Sequence, residues 1–255
     1  MNNKTVYHQK KESVAIITLD WKDSKKVINR QIVAELRDIG NEISRDDSIR
    51  TAIVTGQEHF CSGDDRDKRS LFENKTERMR SLSIASIIEQ FDQPAIAAIS
   101  GDALGQGLEL VLACDLRLCT ETAHFAMDQV TYGAIPWDGG TQRLSRIVGR
   151  GKAMEMILTG EVINAQEAYR IGLVHRVIPE DELMSAAMEM AREIATKGPI
   201  AVRYAKEAIY KGMDVTLEQG LRLEADLYFL LHTTRDRTEG IEAFREKRSP
   251  QFEGR

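Results

Sequence analysis

The chain has 255 residues, enough for one large domain or somewhat more, and its 42% hydrophobic and 29% charged content is ordinary for a globular protein. A formal charge of −5 speaks against general nucleic-acid binding, so a polyanionic ligand would need a local basic patch. The polar start MNNKTVYHQKKES has no apolar signal core, and no apolar run approaches the ~20 residues of a membrane span, so no membrane partner is expected. Cys61, Cys114 and Cys119 are odd in number and lack zinc-ligand spacing, which predicts reduced thiols, no metal and a cytoplasmic setting. Cys114 and Cys119 lie in an apolar stretch and read as small buried hydrophobes.

Val14–Leu19 is a short β-branched run and reads as a strand. Residues 29–43 have helical spacing, with Ile32, Val33, Leu36, Ile39 and Ile43 on one face. Residues 51–55 read as a second buried strand ending at Gly56, and 57–70 as polar loop. A helix over 81–91 precedes a third strand, Ala95–Ile99; a helix follows over 105–113 and another strand over 115–119. This alternation implies a parallel or mixed sheet with helical crossovers. After Gly139 the segments 152–159, 165–171, 181–196, 199–212, 217–232 and 239–248 read as helices, interrupted by a strand at 173–178. The expected organisation is an α/β core over 1–197 and a helical region over 198–255, joined near Gly198-Pro199.

The stretch from Ser100 to Asp115, SGDALGQGLELVLACD, carries the chemistry. A strand ends, a glycine-rich turn follows, and a helix opens whose first amides lack internal partners and can receive negative charge. Gln106 and Glu109 are three apart and share a helix face, so a backbone donor and a carboxylate can address one ligand. Apolar neighbours (Leu108, Leu110, Val111, Leu112) make the Glu109 carboxylate harder to ionise, which suits proton transfer; the alternative is an ordinary surface glutamate. The full nucleotide-binding glycine patterns are absent. A second glycine turn, HFCSGDD from His59 to Asp65, could supply another amide donor or be only a loop.

Together these segments resemble the enoyl-CoA hydratase/isomerase (crotonase) family over nearly the whole chain. Phe60 to Asp65 is similar to the family's first oxyanion loop, and 98–115 to its A-x-x-G-x-A-x-G-x-G-x-E-L-x-x-x-C-D signature. Further matches are Gly133 to Pro136 with Gly139 to Leu144, Thr159-Gly160 with 165–174, and IEAFREKR at 241–248. The resemblance implies a repeated ββα spiral core with a C-terminal helical trimerisation region. It implies an acyl-CoA thioester as substrate, its carbonyl oxygen bound by the backbone amides of Asp64 and Gln106, with Glu109 as catalytic acid–base. No cofactor is implied beyond the coenzyme A of the substrate, and the assembly would be a homotrimer or a hexamer. Lys25, Ser62, Gly63, Asp65, Gly105, Phe244 and Lys247 fall at positions implied to meet substrate or coenzyme A.

The chain departs from the family where a second catalytic glutamate would stand: the residue there is Gln129, which can hold a water or hydroxyl but cannot exchange a proton at neutral pH. Trp137-Asp138 replaces small residues between Pro136 and Gly139. Trp137 either narrows the acyl pocket or stacks on a flat acyl group, or simply packs; Asp138 is a displaced acid or a turn residue. The first motif, Asp20-Trp21-Lys22-Asp23, has also lost the family's asparagine-arginine-proline run. The expected activity is hydration of an α,β-unsaturated acyl-CoA, with a cyclic or dienoyl acyl group in view. The alternatives are an isomerase, a hydrolase, or a non-catalytic acyl-CoA-binding relative.

Overall fold

The computed structural model describes residues 5–21, 27–57, 59–63 and 74–255. Lys25, Asp64 and Asp65 therefore lie outside the described residues. The chain opens with β1 (Val6–Lys11), β2 (Val14–Leu19), α1 (Arg30–Arg45) and β3 (Thr51–Gly56). It continues through α2 (Lys75–Leu82), α3 (Ala85–Glu89), β4 (Ala95–Ile99), β5 (Asp102–Leu104) and α4 (Gln106–Ala113). Then come β6 (Leu116–Thr120), β7 (His124–Ala126), a 3-10 turn at Asp128–Tyr132, α5 (Gly140–Val148) and α6 (Arg150–Thr159). After β8 (Val162–Asn164), α7 (Ala165–Arg170) and β9 (Arg176–Ile178), the chain ends in α8 (Leu183–Ala195), α9 (Pro199–Gly212), α10 (Leu217–Leu231) and α11 (Arg235–Glu246).

The main sheet runs β1-β2-β3-β4-β6-β9; the β1–β2 pair is antiparallel and the other pairs are parallel. β2, β3 and β4 are buried along their whole length, as expected of strands covered on both faces. Alternate residues feed two cores. Ala15, Ile17, Val54, Ala97 and Ile99 pack with Leu36 of α1 and Leu108 of α4. Ile16, Ile53, Ile96 and Leu118 face the apolar side of α8, through Leu183, Ala187 and Ala191. A small second sheet, β5-β7-β8, sits beside the first and carries the turn into α4.

Most expected elements are present, with informative differences. β1 reads as polar (VYHQKK) because it is an edge strand that buries only Val6 completely. The expected helix over 81–91 breaks between α2 and α3, and only Arg176–Ile178 of the 173–178 segment is strand. The C-terminal helices are tied back to the core: Lys206 of α9 reaches Asp115 at 2.8 Å and the Gln93 carbonyl at 3.0 Å, while Arg50 donates to the carbonyls of Ala195 and Phe252. Among the described residues, no helix is long and apolar enough to cross a membrane, and no cluster of His, Cys, Asp or Glu could hold a metal ion.

Candidate active site

Two chain segments converge at the start of α4. Phe60 donates to the Ser100 carbonyl at 2.8 Å, Cys61 to Asp102 at 2.9 Å, and Leu104 back to Cys61 at 3.0 Å. The loop at 59–63 thus runs beside β5 as an extra bridge. Trp21 anchors it from the other side, its indole N–H reaching the carbonyls of His59 (3.1 Å) and Phe60 (2.8 Å). The residue that looks aberrant in the first motif is therefore a brace for the glycine turn. Gly63 has φ 96, and a β-carbon there would stand 3.0 Å from the Leu104 carbonyl oxygen and 3.5 Å from the Gln106 amide nitrogen. Only glycine allows both the conformation and that approach. As the first residue of α4, Gln106 has an amide with no intrahelical acceptor, beside the Gly63 backbone.

One turn further along α4, Glu109 is fully buried. Its Oε1 accepts hydrogen bonds from the amides of Asp138 and Gly140, both at 2.8 Å. The Gln129 amide, on the 3-10 turn, donates to Oε2 at 3.4 Å. Gln129 is buried, and its Oε1 accepts no hydrogen bond among the described residues. Turning that amide over would set two oxygens against each other, so the donor faces the carboxylate. Apolar burial disfavours the charged form of Glu109, but two amide donors favour it. The sequence shows the first effect in Glu109's neighbours; the second depends on residues 138 and 140, which the fold brings in. Gly140 also makes room: a β-carbon there would fall 2.9 Å from Glu109 Oε1, 2.8 Å from Pro136 and 2.9 Å from the Met127 sulfur.

The Asp138 carboxylate has a separate set of partners. It accepts from the Ser83 hydroxyl, from the amides of Ile84 (2.9 Å) and Ala85 (3.1 Å), and from the Gln106 side chain (3.1 Å). The Gln106 side chain also donates to the Leu82 carbonyl at 2.6 Å. These bonds occupy the backbone where α2 gives way to α3, which is why the expected single helix is broken there. Glu109, Gln129, Asp138, Gln106, Gly105, Ser62, Gly63 and the half-buried Trp137 thus gather around one end of α4. Phe244 and Lys247 stand apart on exposed positions of α11 and its C-cap. Sequence reasoning missed Ser83, Leu82 and Gly140; the Gly139-Gly140 pair was the one available signal, since paired glycines flag a close approach.

The sequence profile of the enoyl-CoA hydratase/isomerase family matches residues 9–255. The chain belongs to this family. YngF of Bacillus subtilis is 42% identical over 261 residues, covering 100% of both chains. A crotonyl-CoA hydratase from Syntrophomonas wolfei is 34% identical over 257 residues, covering 99% of each. Among solved structures, an enoyl-CoA hydratase from Bacillus anthracis superposes with a TM-score of 0.93 at 40% identity, covering 99% of this chain and 100% of that one. The family member described here accordingly has the crotonase fold, with its helical C-terminal region, and is an enzyme of the enoyl-CoA hydratase/isomerase type acting on acyl-CoA.

Proposed function

We propose that the enzyme adds water across the double bond of an α,β-unsaturated acyl-CoA, using Glu109 as its one proton-carrying group. The observation that carries this reading is the pairing, one helical turn apart, of the helix-opening Gln106 amide with a buried carboxylate held by two amides. The thioester oxygen would sit against the Gln106 amide, with Asp64 supplying the second donor. Negative charge building there as the enolate forms is then stabilised by donors already in place, on the order of a few kcal/mol each. The attacking water would be held by Glu109 Oε2, with the Gln129 amide orienting it. As its oxygen bonds to Cβ, Glu109 takes one water proton, the C=C electron pair moves onto the thioester, and Glu109 returns the proton to Cα. One water is consumed and the carboxylate ends as it began.

The Syntrophomonas relative is named for hydration, which favours this reaction for the present chain. Trp137 beside the site suits a flat, conjugated acyl group, cyclic or dienoyl, through stacking. This chemistry asks for no resident cofactor or metal, because amides hold the oxyanion and a carboxylate moves the proton. Lys25, Phe244 and Lys247 are suited to the phosphates and adenine of coenzyme A, and Ser62, Gly63, Asp65 and Gly105 to the thioester end. Self-assembly as a trimer or pair of trimers would cover the apolar side chains left exposed on α10 and α11, and free thiols fit a cytoplasmic enzyme. One observation favours isomerisation as a second reading: with Gln129 unable to ionise, a single carboxylate can move a proton from one carbon to another. Crotonyl-CoA decides between them. Loss of the conjugated enoyl absorbance with the mass gain of one water supports hydration. Absorbance change on other enoyl-CoA esters at constant mass supports isomerisation, and release of free coenzyme A thiol supports hydrolysis.

A further inference from the structure

We propose that Asp138 is a positioning residue that holds the two halves of the site in register and carries no proton itself; this rests on the hydratase reading above. An ionised carboxylate offers about four acceptor positions. At Asp138 four donors converge: the Ser83 hydroxyl on Oδ1, and the amides of Ile84 and Ala85 with the Gln106 side chain on Oδ2. The side chain is buried. Three of the four crowd Oδ2, which leaves that oxygen no acceptor position for a substrate, and Oδ1 is engaged by Ser83.

The same residue's main chain reaches the other half of the site. Its amide donates to Glu109 Oε1 at 2.8 Å, and its carbonyl accepts from Arg143 at 2.9 Å. Arg143 in turn holds Glu89, the last residue of α3, at 2.7 Å. Asp138 therefore fixes three things at once. Its carboxylate clasps the α2–α3 break, it binds the side chain whose own amide faces the thioester oxygen, and its amide sets the rotamer of Glu109. Moving Asp138 shifts the oxyanion donor and the proton carrier relative to each other. A misplacement of about 1 Å between such groups costs on the order of 100-fold in rate.

The test is Asp138→Asn in the full chain, assayed on an enoyl-CoA that the unaltered enzyme turns over, with kcat, KM, the pH profile of kcat/KM and the melting temperature measured together. An asparagine presents an NH2 to donors that now meet an oxygen. The expected result is a kcat lowered roughly 10- to 100-fold with KM changed only a few-fold. The acid limb should move to higher pH, because a slackened Asp138 amide no longer favours ionised Glu109. Asp138→Glu, which is longer by one carbon, should not restore kcat. Ser83→Ala, which removes one of the four donors to Asp138, should move kcat and the acid limb the same way by less; it also serves if the Asn variant does not fold. A basic limb present in the unaltered enzyme and lost in Asp138→Asn would make Asp138 the acid and overturn the proposal. A melting temperature that falls while kcat and the acid limb stay in place would overturn it too, leaving a plain turn residue. An unaltered chain that turns over no enoyl-CoA removes the hydratase reading, and this proposal with it, before any variant is compared.

Discussion

The Glu109 carboxylate has little room to move. Two amides hold Oε1, a glutamine amide faces Oε2, and Gly140 leaves only enough space for the oxygen. Gly140 opens α5 without a positive φ, so alanine there is conformationally acceptable and the consequence is purely steric. Gly140→Ala should therefore push Glu109 off its two amides and lower kcat by roughly 10-fold or more, with the melting temperature changed modestly. Unchanged turnover in a steady-state assay would show that the carboxylate tolerates displacement. Gln129 is less demanding, because an amide can orient water but cannot take its proton. Gln129→Glu would set a second carboxyl where the 3.4 Å contact now lies, and one of the two would then hold a proton near neutrality. Turnover of crotonyl-CoA should rise in that variant; a fall would indicate that the neutral amide is matched to a different acyl group.

At the scale of elements, continuous apolar runs and helical periodicity were legible in the sequence. β2, β3 and β4 read as strands because they are apolar throughout, and α1 because its buried stripe is regular and Asn29 caps it at 3.1 Å. The short strands β5, β7 and β8 have three residues each, too few for a period to show. The break between α2 and α3 was not legible because its cause, Asp138, is 53 to 55 positions away in sequence. The site divides in the same way. Gln106 and Glu109 follow from local spacing, but the amides that hold Glu109 and the seat of Asp138 depend on tertiary approach. The cysteines give a prediction at this scale. Burial pushes the thiols of Cys114, at the C-cap of α4, and Cys119, in β6, from about 9 up to about 12. In the unfolded chain these thiols ionise at lower pH than in the folded one, so their contribution to stability is full below about 9 and is lost as pH rises toward 12. Neither should react with a thiol reagent at pH 8 in the native protein, and both should react after denaturation. Rapid native labelling of Cys114 would contradict the packing of α4.

At the scale of the whole molecule, the C-terminal helices leave large apolar side chains exposed. Leu217, Phe229 and Phe244 are 79%, 68% and 85% exposed on α10 and α11, apolar side chains that a partner surface would cover. Light scattering at micromolar concentration should give the mass of a trimer or hexamer; a monomer would contradict the proposed covering of that surface. The most direct measurement is turnover of crotonyl-CoA by Glu109→Gln beside the unaltered enzyme, followed by enoyl absorbance and product mass. Glu109→Gln keeps the size of the side chain and removes its proton-carrying ability. Turnover is expected to fall at least ~100-fold, the usual scale for a general acid–base, while Gln129→Ala falls less. Hydration by Glu109→Gln at the unaltered rate would contradict the assignment of the proton to Glu109 and leave only acyl-CoA binding to this site.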